Sequence, residues 1–129
     1  MNRKGFTLVE TLVALIILTV VALSLGRFVG NFLHVVGTST MRTVATAVAQ
    51  EQIETIRSQT SATAYPTMVS TYNNQTVTGF PGFAAMTRLT RVTRTTSNSP
   101  RADYTTITVT VSEPRMGTPV NLTVVVAAP

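Results

Sequence analysis

Five carboxylates, one imidazole and no thiol are the stock from which this chain of 129 residues could build an acid, a base or a nucleophile. The acids, Glu10, Glu51, Glu54, Asp103 and Glu113, are dispersed along the sequence, and their spacing predicts no cluster of hard oxygen ligands for a divalent cation. His34 is the only histidine, which excludes a site built from several imidazoles. A serine triad would have to join it to Asp103 or a glutamate across the fold. The absence of cysteine removes thiol catalysis, cysteine zinc sites and disulfides, and leaves the compartment open. No glycine-rich phosphate loop is present. These counts predict no catalytic residue, no metal and no cofactor, and a protein that is not an enzyme.

Arginine is the side chain that recurs at short spacing. Arg88, Arg91 and Arg94 follow one another every three residues with threonines between them. On a strand, where side chains alternate, that spacing divides them between two faces. One reading is a solvated sheet edge. The other is a surface that contacts DNA phosphates, with a steep salt dependence and without an evident aromatic platform. The formal charge of +5 also points to nucleic acid or anionic lipid, but Arg3 and Lys4 supply part of it. Without residues 1–5, eight arginines face five acids, a net of +3 with no lysine. Asn74-Gln75-Thr76 and Asn121-Leu122-Thr123 match glycosylation sequons, a nonspecific signal.

The elements that must position these groups begin with an apolar run. Residues 6–25 form a stretch of 20 containing a single charge, Glu10, directly after the basic start Met1-Asn2-Arg3-Lys4-Gly5. Twenty helical residues reach about 30 Å, the thickness of a bilayer core. Basic residues ahead of the run keep the N-terminus cytoplasmic and send Arg27 onward to the outer side. An unpaired carboxylate inside such a helix costs roughly 2.5 to 3.5 kcal/mol near the bilayer centre. Either Glu10 lies at the interface and complements the helix dipole, or it meets a cation such as the freed α-amine of a neighbouring subunit.

The string Gly5-Phe6-Thr7-Leu8-Val9-Glu10, with the apolar run behind it, resembles the processing signal of type IV pilins and type II secretion pseudopilins. The resemblance implies that a prepilin peptidase cuts between Gly5 and Phe6, that Phe6 is N-methylated, and that Glu10 serves subunit assembly. It implies other pilin subunits, the peptidase and methylase, an inner-membrane assembly platform and the lipid bilayer as partners, with nucleic acid as a further candidate. It also implies a single-pass inner-membrane protein whose head is extracytoplasmic, carried into a filament on assembly. Two competing signals would begin with the same basic residues. A secretory signal peptide would be cut near Ala22-Leu23-Ser24, although its apolar core is normally 7 to 15 residues. An uncleaved signal anchor would keep the same topology without the new terminus.

Beyond the run stand Gly26, Gly30 and Gly37, which loosen a helix by about 1 kcal/mol each relative to alanine. The Gly26/Gly30 spacing also fits close helix packing. His34 falls at the membrane surface. From Thr38 to about Gln59, Met41, Val44, Ala45, Val48, Gln52/Ile53 and Ile56 recur at helical spacing and define one apolar stripe. Glu51, Glu54 and Arg57 occupy the polar side. From Phe6 the helix would approach 54 residues, about 80 Å if unbroken. The phrase from Ala49 to Arg57 resembles the same helix in I-type pseudopilins and PilV-like minor pilins.

Turn formers then dominate to Gly82, including Asn73-Asn74 and Gly79-Phe80-Pro81-Gly82, and predict a connector with room for a short strand or hairpin. Tyr65, Phe80 and Phe83 are expected to anchor it to the core. Strands are predicted at about 83–95, 104–111 and 120–126, in an antiparallel meander. Ile107, Val109 and Val111 share one face, as do Val120, Leu122, Val124 and Val126. The helical stripe is the natural cover.

The expected organisation is therefore a leader at 1–5, a membrane and assembly helix at 6–32, its extracytoplasmic amphipathic half at 33–59, a connector at 60–82 and a head at 83–129. The fold class is α+β, a long helix packed on an antiparallel sheet of three to four strands. The expected function is that of a minor pilin or pseudopilin subunit acting through filament assembly or initiation. The alternative is a single-pass membrane-anchored binding module, in one form contacting DNA through the head arginines.

Overall fold

The computed structural model of the chain describes Gly5, Ser61 and residues 7–59 and 63–129. The expectations placed on Arg3, Lys4 and Phe6 therefore concern residues outside that set. Two compact units emerge, Met1–Gly37 and Thr38–Pro129. A single helix, α1 (Leu8–Arg57), supplies almost all of the first and opens the second. It is continuous through Gly26, Gly30 and Gly37, so the summed propensity of the surrounding aliphatic residues outweighs the glycine penalties.

In the second unit α1 buries Ala45, Ala49, Gln52, Ile53 and Ile56, spaced three and four apart. Val44 and Val48 flank that stripe half-buried. The predicted stripe thus exists and gains Ala49. The helix closes after Arg57, whose guanidinium complements the C-terminal dipole and pairs with Glu54 at 3.2 Å across an exposed surface.

The chain then enters a 3₁₀ turn (Tyr65–Thr67) and a short helix, α2 (Met68–Tyr72). Four strands follow: β1 (Gln75–Phe80), β2 (Phe83–Asn98), β3 (Arg101–Ser112) and β4 (Val120–Ala127). They pair antiparallel in the order β1-β2-β3-β4, the predicted meander with one strand more on its near edge. The segment 60–82 carries the short strand for which it had room, so the sheet starts at Gln75 rather than Phe83. Asn74 turns the chain with φ 58° in the left-handed region, and the Asn73 side-chain oxygen accepts the Val92 N–H at 3.1 Å just ahead of the start of β1. Asparagine tolerates that conformation through local hydrogen bonding, so the Asn-Asn pair launches a strand as well as breaking a helix.

The core lies between the α1 stripe and the inner sheet face. Ile107, Val109 and Val111 of β3 are fully buried, with Met86 and Val92 of β2 beside them. The register sets Val92 opposite Ile107 and Ile107 opposite Val124. Val120, Leu122, Val124 and Val126 share the predicted face but are only half-buried. Tyr65 and Met68, each 2% exposed, bring the connector into the core, and Phe80 and Phe83 pack against it as expected. This is an α+β fold, a long N-terminal helix packed on a four-stranded antiparallel sheet, and it is pilin-like.

Candidate functional site

The N-terminal unit holds the residues whose environment is least explained by folding alone. Thr7 lies just ahead of α1, and its hydroxyl accepts the Glu10 N–H at 3.2 Å while its carbonyl accepts the Thr11 N–H at 3.2 Å. That is an N-cap, which satisfies one of the four orphan donors of the first turn. Glu10, three residues after the cap, sits in that first turn, where a carboxylate complements the helix dipole. The Thr-x-x-Glu pattern is the sequence half of a capping box, a signal for the role of Thr7 that the expectations for this segment, resting on Glu10 alone, missed. Gly5 precedes the cap and is exposed, while Phe6 lies outside the described residues.

Behind the cap the helix is apolar on every side and uncovered. The large hydrophobic residues from Leu8 to Val36 are 45% to 81% exposed. An 18-residue window reaches a mean hydropathy of 2.6 with none of it buried. By length and composition the segment can cross a membrane. Its few hydroxyls are satisfied internally: Thr11, Thr19 and Ser24 each donate at 2.8 Å to the carbonyls of Leu8, Leu15 and Val20. Such back-bonding lets a polar side chain reside in lipid without an unmet donor. Phe28 stacks on Phe32 with centroids 6.3 Å apart. A Cβ added at Gly26, Gly30 or Gly37 would meet nothing within 4 Å, so no contact among the described residues requires glycine at those positions. His34 lies on the exposed surface of the same helix.

The three arginines do not form one patch. Arg88 and Arg94 share the parity of the buried Met86, Thr90 and Val92 and so lie on the helix-facing side of β2, whereas Arg91 is exposed on the opposite face. Arg94 donates from Nε to Asp103 Oδ1 at 2.8 Å and from Nη2 to Oδ2, a bidentate pair. Its guanidinium also lies over the Tyr65 ring, 5.0 Å from the centroid. Hydrogen bonding to Arg94 holds the Asp103 carboxyl below its usual range, and the same bond raises Arg94. Tyr65 completes the cluster: its hydroxyl accepts from Thr105 at 3.1 Å and reaches Asp103 and the Val126 carbonyl at 3.5 Å.

Arg88 places its guanidinium 5.7 Å from the Phe80 ring. Burial lowers its pKa, and the charge of Glu51 opposes that shift. Its Nε and the Thr90 hydroxyl are buried without a hydrogen-bond partner among the described residues. Two of the three cations are therefore spent on internal contacts.

The remaining carboxylates have local tasks. Glu113, its side chain 1% exposed, accepts the Arg115 N–H at 2.7 Å and pairs with Arg115 Nε at 3.0 Å, which caps the 3₁₀ turn Pro114–Met116. Arg42 on α1 donates to the Thr118 hydroxyl and ties that turn's loop to the helix. Among the described residues no three His, Asp or Glu side chains group as metal ligands.

The residues 1–26 match the family model described as the prokaryotic N-terminal methylation motif. No curated protein and no solved structure matches the chain. The motif implies processing by a prepilin peptidase and assembly with other pilin subunits, and with the exposed apolar helix it fits a membrane-anchored pilin that enters an extracellular filament. Capped start, uncovered helix and α+β head together with that match support a type IV pilin-like protein.

Proposed function

We propose that this chain is a minor pilin or pseudopilin subunit of a type IV pilus or type II secretion-like filament, acting through filament assembly or initiation. The observation that carries the reading is the methylation motif at residues 1–26, which overlaps the start of a helix whose large apolar side chains from Leu8 to Val36 are exposed among the described residues. In this reading the subunit waits in the inner membrane as a single-pass protein with its head outside. Prepilin peptidase cuts between Gly5 and Phe6, and Phe6 is N-methylated. The new α-amine of one subunit then meets Glu10 of the next.

The physical argument rests on two deficits that one event removes. A carboxylate in hydrocarbon is costly without a cation, and an apolar helix outside the membrane is costly without apolar neighbours. Side-by-side packing of cleaved subunits supplies both partners at once. Uncleaved chains would place Arg3 and Lys4 where the amine has to be, so processing gates assembly. The head sets the place of the subunit in the complex.

Intact-mass analysis of the protein purified from the membrane of its native host tests the processing step. A chain beginning at methylated Phe6 is expected, a start at Leu25 would mean secretion as a soluble domain, and a retained Met1 beside active peptidase would mean a permanent anchor. Glu10→Ala is expected to abolish incorporation into filaments while the head stays folded. Normal incorporation of that variant would remove Glu10 from the mechanism.

A further inference from the structure

The apolar part of α1 is longer than the bilayer it can cross. Its large hydrophobic side chains are exposed from Leu8 to Val36, a stretch that reaches about 43 Å at 1.5 Å per residue. The hydrocarbon core is about 30 Å thick. An upright helix with Leu8 at the inner boundary would place Arg27 at the outer one, about 28 Å further on, and would carry Phe28, Phe32, Leu33 and Val36 through the headgroups towards water. No break in the helix avoids this, because α1 is continuous to Arg57.

The surplus turns differ from those before them. Between Thr11 and Leu25 the helix carries no charge on any side. From Arg27 it is two-sided. Arg27, Asn31 and His34, at i, i+4 and i+7, share one exposed stripe. Val29, Leu33 and Val36 repeat that spacing two residues later, which at 3.6 residues per turn lies about 160° around the helix. They are 47%, 63% and 45% exposed. The stacked pair Phe28 and Phe32 flanks this apolar stripe. Charge is one-sided as well: between Glu10 and Glu51 the sequence has no acid, while Arg27 and Arg42 are cations.

We propose that the turns from Arg27 to Val36 lie obliquely in the outer headgroup layer of the membrane, with the Arg27 stripe against phospholipid phosphates and the Val29 stripe against acyl chains. The proposal rests on the membrane-anchored reading and concerns the subunit before assembly. A hydrophobic stretch longer than the core is accommodated by tilting, and interfacial anchors set the direction of the tilt. Here the anchor is Arg27. Its guanidinium suits a phosphate, which it can hold by two parallel hydrogen bonds, and its stem can snorkel while the head stays at the interface. Once the helix leans, its upper side meets phosphates and its underside meets acyl chains, the division that the two stripes already make. The Phe28–Phe32 pair then sits at the depth where aromatic rings anchor membrane helices.

Because the chain has no cysteine, an introduced one is its sole thiol and takes a single nitroxide label. The full-length protein is reconstituted in vesicles of phosphatidylcholine and phosphatidylglycerol, and each label is tested for collision with oxygen, which partitions into hydrocarbon, and with a nickel chelate, which stays in water. Ile16→Cys serves as the hydrocarbon reference and Thr93→Cys, exposed on β2, as the aqueous one. The ratio of oxygen to nickel accessibility is expected to be several-fold higher at Leu33→Cys and Val36→Cys than at Asn31→Cys. Arg27→Gln should lose most of that contrast, and Arg27→Lys, which keeps the charge, should retain it. An Ile16 label as open to nickel as the Thr93 label would remove the membrane reading itself. With Ile16 in hydrocarbon, four results would overturn this proposal alone: Leu33 and Val36 matching Thr93, equal ratios at Asn31 and Leu33, a contrast unchanged by Arg27→Gln, or exclusion of both reagents at Leu33, which would mean a protein neighbour.

Discussion

Replacing Ile107 by alanine tests whether the head is held by the apolar layer between helix and sheet. Ile107 is completely buried on β3, with Val92 and Val124 as its cross-strand neighbours. The substitution removes three carbons, worth about 0.8 kcal/mol each in lost burial or about 2.4 kcal/mol together. The cavity adds to this because neighbours on two strands cannot collapse into it without breaking register, so the expected loss is about 3 to 4 kcal/mol, within the range for such truncations. Stabilities of about 0.05 to 0.15 kcal/mol per residue are usual, and for a unit the size of Thr38–Pro129 this loss is a quarter or more of the total. Pulse proteolysis of the full chain in detergent across a urea series reads the change as a shift in midpoint, with resistance of the head fragment as the signal. Thr93→Ala, on the exposed face of β2, should cost less than about 1 kcal/mol. An Ile107→Ala loss below about 1 kcal/mol, or equal losses at both positions, would refute the assignment of the core.

Two further outcomes follow from single contacts. Thr7→Ala removes the acceptor of the Glu10 N–H and should cost the start of α1 about 1 kcal/mol, seen as faster hydrogen exchange at that amide, with Thr7→Ser restoring protection; unchanged exchange would show that the cap is not formed. The Asp103 carboxyl is held low by Arg94, so its contribution to stability is fully present above the unfolded value near 3.9 and is lost as pH falls through the lower folded value. The Arg94 partner, raised in turn, contributes throughout this window because it is charged on both sides of it. Asp103→Asn should therefore flatten the acid limb of a plot of unfolding midpoint against pH below about 4, and an acid limb identical to that of the parent would contradict the pairing.

Much of the fold was legible because periodicity survives folding. The stripe from Val44 to Ile56 and the alternation of Ile107, Val109 and Val111 both recur as buried faces, since a helix and a strand can each bury only the side their period defines. β1 was harder to read. Its six residues include Thr76, Thr78 and Gly79, carry little apolar alternation, and pair because β2 offers an edge beside them. The spacing of the arginines correctly divided them between faces, but not what each would touch. Asp103 is nine residues from Arg94 in sequence and is brought back to it by the β2–β3 hairpin. Tyr65 arrives from the far side of the connector. Thr7 was legible in the Thr-x-x-Glu spacing, but a carboxylate in an apolar run stands out as a charge and masks the backbone bond it shares with the cap three positions earlier.

Local order along the chain determined the N-terminal unit: the apolar run from Leu8 makes a helix long and apolar enough to cross a membrane, because in a helix every backbone bond is made within the segment itself. The Thr-x-x-Glu start, the helical stripe and the strand alternation belong to the same level, since each is set by residues within a turn or two. Tertiary structure decided what depends on distant residues meeting. It gave Arg94 and Arg88 partners within the chain and left Arg91 on the opposite face, it recruited β1, and it left the uncharged strand β4 at the end of the sheet with Val120, Val124 and Val126 half-covered. The reason is that strand order and facing partners are fixed by the meeting of surfaces far apart in sequence, and no local period encodes which edge of a sheet will be last.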